Sequence, residues 1–394
     1  MRIVHLSDTH IGKRRYNLNS SPRDFYEAFR EAFEIALSYD PDVVIHSGDL
    51  FDNPYPLNFT KRRIIEDLVN FSRKAPILMV AGNHDYADVD GLSPVGFIGI
   101  VAGNIFNAEY RDVLSHERPR PVQVDMDGAR FFLIPFVRDR QTLREVVNAA
   151  LEDLSDGLNF VVLHQIIDGF TAKKKNMTLD IPHEELKGFH FRFVGHFHTP
   201  HLDRDGGFVY AGSTEALSFD EYEYDESGVV KPSTRKRVFV FDFESSGNYR
   251  VEEVVLRSPR PFLMYIMDYP SLEELEERLS EIPVEHDKKP ILILKLRARN
   301  VREMEEYSHV INTFRSRGYY EHIRADIVPD EVAVEVEETG MEGIKREILG
   351  EFYDMVVEAE GMVESMEDSG MRNLREKLME FLEARYEDRE DSSG

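Results

Sequence analysis

Apolar residues along this chain fall into short runs separated by amphipathic stretches. Arg2–Ser7 and Asp42–Ser47 are rich in Ile and Val, the pattern of short buried strands. Between them Phe25, Phe29, Ala32, Phe33 and Ala36 recur at i, i+4, i+7, i+8 and i+11, which lays one apolar face along a helix. Ser21-Pro22-Arg23-Asp24 predicts its start, with a capping residue, Pro at the first helical position and an acid three residues after the cap. A second helix is predicted from Lys61 to Arg73, then a strand at Ile77–Val80. Strand, helix, strand, helix, strand is the alternation of an α/β domain.

The middle of the chain is richer in strands. Arg130–Phe136, Asn159–Leu163, Phe191–Val194, Phe208–Ala211, Arg237–Phe243 and Tyr249–Leu256 all qualify, so a first domain is predicted over 1–256. The pattern restarts at Arg260. Pro261–Met267 reads as a strand, and Ser271-Leu-Glu-Glu274 as a capping box opening a helix that carries Leu272, Leu275, Leu279 and Ile282. A strand at Ile291–Leu296, a helix at Met304–Phe314 and strands at Ile323–Val328 and Val332–Val336 complete a small α/β domain over 257–338. Residues 339–394 form an acidic tail with two amphipathic patterns. Ile344, Ile348, Phe352, Met355 and Ala359 make one stripe; Leu374, Leu378, Phe381 and Leu382 make the other.

Composition narrows the function classes. The 394 residues carry 48 Lys and Arg against 74 Asp and Glu, a net charge of −26. That excludes coating nucleic acid or an anionic membrane by overall charge, while leaving room for a local positive site. Residues 341–394 alone hold 7 Lys and Arg and 16 Asp and Glu. There is no cysteine, which removes disulfide scaffolds, thiolate metal sites and cysteine nucleophiles and fits a reducing compartment. No apolar run approaches the length of a membrane span, and the first ten residues lack the apolar core of a signal peptide. The expectation is a soluble, cytoplasmic protein with no membrane partner.

Five segments concentrate metal-binding residue types where predicted strands end: Asp8-Thr-His10, Gly48-Asp49-Leu-Phe-Asp52, Gly82-Asn83-His84-Asp85, His164, and Gly195-His196-Phe-His198. Strand C-termini are where open α/β sheets place their sites. In an extended segment residues i and i+2 point the same way, so Asp8 with His10, and His196 with His198, are each expected to face one cavity. His5 and His46 lie inside strand patterns and read as structural.

In that order, Asp-x-His, Gly-Asp, Gly-Asn-His-Asp, His and Gly-His-x-His resemble the calcineurin-like metallophosphoesterase pattern. Within it, His5-Leu-Ser-Asp-Thr-His-Ile-Gly12 and Ser47-Gly-Asp-Leu-Phe-Asp52 resemble the double-strand-break repair nucleases, the SbcD-type enzymes and their relatives of the meiotic recombination eleven family. The resemblance implies a fold of two sheets flanked by helices, with a small α/β capping domain and a helical C-terminal tail. It also implies a centre of two Mn²⁺ ions, with Mg²⁺ or another divalent ion as substitutes. Asp8, His10, Asp49 and His198 would hold one ion, Asp49, Asn83, His164 and His196 the other, with Asp49 bridging. Carboxylate, amide and imidazole without thiolate suit such ions. Two divalent cations outweigh two carboxylates, so an acidic protein can still present a cationic floor to a phosphate. His84 would contact the scissile phosphate and assist the leaving oxygen. Asp52 matches the acid that orients that histidine in related phosphatases, where some archaeal nucleases of the family carry His.

The resemblance further implies a DNA nuclease, acting as 3′-to-5′ exonuclease on duplexes and endonuclease on single strands. It would process ends in double-strand-break repair as a homodimer, with a coiled-coil SMC-like ATPase partner docked on the tail. A small-molecule phosphodiesterase or phosphatase of the same superfamily shares every motif and is the alternative. Basic clusters at Lys13-Arg14-Arg15 and Lys173-Lys174-Lys175 adjoin motifs and are expected to track a DNA backbone. Arg138 with Arg140, and Lys231–Arg237, are further basic stretches.

Overall fold

A computed structural model of the chain describes residues 1–86, 93–101, 103–169, 178–245 and 247–329. The chain opens with the predicted alternation: β1 (Arg2–Leu6), α1 (Ser21–Ser38), β2 (Val43–His46), α2 (Asn58–Ser72), β3 (Ile77–Val80), α3 (Pro94–Val101), β4 (Ile105–Ala108) and the short α4 (Tyr110–Leu114). It continues through β5 (Val122–Met126), β6 (Ala129–Ile134), α5 (Arg140–Glu152), β7 (Leu158–His164), β8 (Phe191–Gly195), β9 (His201–Asp203) and β10 (Phe208–Tyr210). Then come β11 (Arg237–Phe243) and β12 (Tyr249–Val255).

The first sheet has the order β12-β11-β1-β2-β3-β4, with β1 to β4 parallel. The second has the order β5-β6-β7-β8-β10-β9. The sheets face each other across a core of Ile3, Val43, Ile45, Leu78 and Val80 from one and Phe131, Phe160, Val162, Phe191 and Phe193 from the other. Alternate residues point outward under helices. Val4, Val44, Ile77 and Met79 pack with Phe29 and Phe33 of α1 and Ile64 and Leu68 of α2. Phe132, Val161 and Leu163 pack with Leu143, Val146 and Val147 of α5. Both faces of each central strand are covered, which is why these strands read as continuous apolar runs. The result is the expected pair of sheets flanked by helices.

The α1 stripe is buried as predicted, but its start differs. Ser21 is already helical, and its hydroxyl donates to the Lys13 carbonyl instead of capping. Asp24 does not complete a capping box; it is buried and holds charges from elsewhere in the chain.

Residues 262–329 form a third, parallel sheet from β13 (Phe262–Asp268), β14 (Ile291–Ala298) and β15 (His322–Pro329). α6 (Leu272–Ser280) and α7 (Val301–Arg317) cover one face through Leu275, Leu279, Tyr307, Ile311 and Phe314. The Ser271/Glu274 capping box forms as predicted, whereas Ile282 falls beyond the helix it was expected to extend. The other face sets Phe262, Ile291 and Ile293 against Ala216 and Tyr222. The predicted strand at Val332–Val336 and the helices of the tail lie outside the described residues.

A buried ion cluster secures that packing. Arg260 donates to both Asp24 oxygens, Nε at 2.6 Å and Nη2 at 3.0 Å, and its backbone N–H meets Glu215 Oε2 at 2.9 Å. Arg15 pairs with Glu215 at 2.8 Å, and Lys288 reaches Asp24 at 3.2 Å. Arg15 was expected to follow DNA with Lys13 and Arg14; it is buried as an internal countercharge instead. Removing one partner of a buried pair strands the other charge, so Arg260→Met should lower stability by about 3–5 kcal/mol in urea unfolding. A loss below about 1 kcal/mol, the level of an exposed pair, would show that Lys288 and Arg15 neutralise Asp24 unaided.

Candidate metal centre

The ends of strands from both sheets converge on one cluster. β1 leads into Asp8 and His10, β2 into Asp49, and β3 into Asn83 and His84; β7 ends on His164, and β8 leads into His196 and His198. Asp8, His10, Asp49 and His198 form one group, and Asp49, His164 and His196 a second; within each, the donor atoms lie within 4.8 Å of one another. Asn83 joins the second group through Oδ1, 3.1 Å from His164 Nε2. Asp49 is common to both. A third group, His10, Asp52 and His84, adjoins the first.

The backbone reaches this arrangement through unusual conformations. Asp8, His10, Asp49 and His196 have φ of 50°, 41°, 53° and 82°. Left-handed backbone costs a non-glycine residue roughly 1–3 kcal/mol and persists only where its surroundings enforce it. The extended i, i+2 argument for these pairs therefore fails, although the residues still meet. His196 joins the second group and His198 the first, because the chain turns between them. Gly48 sits at φ +105°, and a Cβ there would overlap the His164 ring; one at Gly82 would overlap the Asp49 carboxylate.

A ring of supporting groups orients the donors. His164 Nδ1 donates to the Ser47 carbonyl at 2.8 Å, which turns Nε2 toward Asp49 Oδ2, 3.3 Å away. The His84 backbone N–H donates to Asp49 Oδ1 at 2.8 Å, and the His196 N–H to Asp8 at 3.1 Å. Ser7 Oγ donates to Asp8 Oδ2 at 2.5 Å. His198 Nδ1 donates to Glu221 Oε1 at 3.0 Å, and Lys236 Nζ donates to Glu221 Oε2 at 2.5 Å and to Ser213 Oγ at 2.8 Å. The buried Asp85 accepts from the N–H groups of Leu50, Phe51 and Gly82 at 3.1, 2.9 and 3.0 Å, tying the loop after β2 to the loop after β3.

Titration follows this crowding. Burial opposes charge on His164, but the carboxylates of Asp49 and Asp8 outweigh it and lift the ring to about 9. Burial likewise opposes the Asp49 anion, yet His164 and His10 hold it well below the usual carboxylate range. Burial and the neighbouring His164 push His196 down to about 3. Burial, reinforced by Asp49, raises Asp85 to about 7 against its three N–H donors.

One expectation needs correction. Asp52 does not orient His84 through its carboxylate: His84 Nδ1 donates to the Asp52 main-chain carbonyl at 2.8 Å. The carboxylate faces Lys13 at 3.2 Å and His10 Nδ1 at 3.7 Å. Lys236, within a predicted basic stretch, is buried against Glu221, and Lys173–Lys175 lie outside the described residues. Glu221 and Lys236 were not singled out as site residues, because nothing in their local spacing marks them. The Gly212-Ser213 turn, which follows a strand pattern and reads equally as a plain turn, does approach the site, through Ser213 Oγ on Glu221 Oε2 at 3.1 Å. His5 and His46 are structural as expected, bonded to Ser47 and Thr9.

The donors fit divalent cations. Asp49 Oδ2 is buried without a well-formed hydrogen bond, facing only the ring nitrogens of His164 at 3.3 Å and His10 at 3.6 Å, and His10 Nε2 and His198 Nε2 point at each other 3.2 Å apart. A carboxylate oxygen so placed is costly without a cation. Carboxylate, imidazole and amide donors without sulfur suit Mn²⁺, Mg²⁺ and similar ions.

Residues 1–207 match the family model described as calcineurin-like phosphoesterase. The DNA double-strand break repair protein Mre11 of Thermoplasma acidophilum is 28% identical over 324 residues, 80% of this chain and 82% of that one. The protein of the same name from Methanococcus maripaludis is 30% identical over 243 residues, 58% of this chain and 61% of that one. That of Archaeoglobus fulgidus is 26% identical over 349 residues, covering 84% and 75%.

Outer partners of metal-ligating histidines set ligand orientation, and losing one lowers metal affinity about 10–100-fold. Glu221→Gln should weaken Mn²⁺ binding by that factor in calorimetry while the fold survives. Unchanged affinity would mean that His198 is positioned without Glu221.

Proposed function

Because this chain belongs to the calcineurin-like phosphoesterase family, we propose that its metal-dependent phosphodiesterase centre acts on DNA with Mn²⁺ as its ion. The observation that carries this reading is the pair of donor groups sharing Asp49. The archaeal relatives, by name DNA double-strand break repair proteins, favour DNA as substrate. The full reading is a nuclease with 3′-to-5′ activity on duplexes and endonuclease activity on single strands. It processes broken ends as a cytoplasmic homodimer with a coiled-coil ATPase, which docks on residues 339–394. No helix among the described residues is long and apolar enough to cross a membrane. Exposed apolar side chains on α2 and α3, with Phe59 76% and Ile100 67% exposed, support pairing with a second copy.

Asp8, His10, Asp49 and His198 would hold one ion, and Asp49, Asn83, His164 and His196 the other. Such a pair supplies Lewis acidity toward phosphoryl oxygens and a nucleophile at neutral pH. The protein's own groups supply orientation and proton transfer. The Ser47 carbonyl holds His164 in the tautomer that leaves Nε2 free to ligate. Asp85 locks the two loops that carry Asp49 and Asn83. His84, anchored through Nδ1, has no hydrogen-bond partner on Nε2 among the described residues. That nitrogen contacts the scissile phosphate and, once protonated, donates to the leaving oxygen.

The test compares a labelled DNA duplex and hairpin with a generic aryl phosphodiester in Mn²⁺. Preferential cleavage of DNA, lost in Asp49→Ala, is the expected result; efficient turnover of the ester with intact DNA would transfer the reading to a small-molecule phosphodiesterase. His84→Ala should reduce hydrolysis by about 10²–10⁴-fold, the usual weight of a general acid, while Mn²⁺ and DNA still bind. Loss of metal binding in that variant would make His84 a ligand.

A further inference from the structure

Beside the metal-binding cluster, on the side of β3 and β6, lies a cavity of about 410 Å³ lined by Tyr86, Tyr110, Phe136, Arg138 and Asp139. Its volume falls in the range of about 300–1,000 Å³ typical of small-ligand pockets. Three features give it chemical character. It is walled by aromatic rings: Tyr86 and Tyr110 meet edge to face at 5.5 Å, and Phe136 is half-buried beside them. It borders the site, since the ring of Phe136 in its wall rests 5.8 Å from His196 and 6.4 Å from His164, centroid to centroid. Its floor is also tied to the ligand-bearing loops, because the Phe136 N–H donates to the Ala81 carbonyl at 2.8 Å, one residue before Gly82.

The two charges at the rim differ in availability. Asp139 is committed to capping α5, accepting from Thr142 N and Oγ1, both at 2.7 Å. Arg138 is exposed and makes no ion pair among the described residues. Aromatic walls with one free guanidinium, next to a phosphodiesterase centre, match a flat, polar-edged ring joined to a phosphate. Resting on the proposal that DNA is the substrate, we infer that this cavity holds the base of the nucleotide whose phosphate lies at the metal centre. The base stacks on Phe136 and Tyr110, and Arg138 faces its edge or the flanking phosphate. Aromatic stacking tolerates every base, so the pocket contributes affinity and positioning without sequence preference.

The test uses the full chain in Mg²⁺ with a phosphorothioate-linked, hydrolysis-resistant single strand ending in 2-aminopurine. Binding should quench the 2-aminopurine emission. Tyr110→Leu, which replaces none of the metal donors, should restore the emission and weaken binding about tenfold, the scale of one lost base–aromatic stack. Tyr110→Phe keeps the ring and should behave as the parent protein, which separates loss of stacking from loss of fold. A strand ending in an abasic residue should bind about tenfold more weakly than its base-bearing counterpart and be indifferent to Tyr110→Leu. Equal affinity for base and abasic strands, or identical behaviour of the Leu and Phe variants, overturns the pocket alone. Absence of binding to every strand by a protein that turns over an aryl phosphodiester overturns the DNA reading and the pocket with it.

Discussion

Two carboxylates, Asp8 and Asp49, lie fully buried among imidazoles at the meeting point of two sheets. Charge in so dry a place has to be balanced, and the surrounding structure meets that requirement. Backbone N–H groups of His84 and His196 point at the carboxylates. His164 takes up a positive charge when the site holds only protons. Four of the donors accept left-handed backbone to bring their side chains inward, a strain that the tight loops and the Asp85 clamp sustain. Each of these features has the same consequence: a place where divalent cations are electrostatically at home.

The two-sheet architecture explains why the site needs residues from the whole length of the first 200 positions. Three parallel strands of one sheet and two of the other end at the same edge, so neither sheet alone holds a complete donor set. The helices on the outer faces keep both sheets apolar on both sides, which leaves the strand ends as the polar places available. The third sheet bears on the site indirectly. It packs through Phe262 on Tyr222, the residue after Glu221, and Glu221 holds His198. The Arg260, Asp24, Arg15 and Glu215 cluster therefore stabilises a segment whose next few residues support His198, one of the candidate metal donors.

The distribution of charge carries a related lesson. With a net charge of −26, attraction for a phosphodiester has to be local. Of the basic residues near the motifs, Arg15 and Lys236 turn inward to neutralise buried acids. What remains for a substrate is the cationic floor that divalent ions would provide at the candidate site, together with exposed basic side chains near it such as Arg138. A basic run in sequence does not distinguish an internal countercharge from a surface contact, because both use the same residue types.

The sequence by itself determined the α/β alternation, the capping box at Ser271 and the set of donors from Asp8 to His198. These are local properties: apolar period, cap chemistry, and residue types that follow strand patterns at short spacing. Strands β4, β5 and β9 and helices α3 and α4 were not legible, since they are short or their polarity is decided by what packs on them; α5 does carry a helical signal, with Leu143, Val146, Val147 and Ala150 on one face behind the Asp139 cap. Spacing alone does not allot His196 and His198 to different groups; the family resemblance implied that allotment, and the left-handed backbone at His196 produces it. The Glu221–Lys236 support, the internal role of Arg15, the carbonyl rather than carboxylate of Asp52 on His84, and the aromatic cavity all join residues far apart in the chain. Only tertiary structure brings such residues together, and it does so because burial, not sequence proximity, decides which charges and rings must find one another.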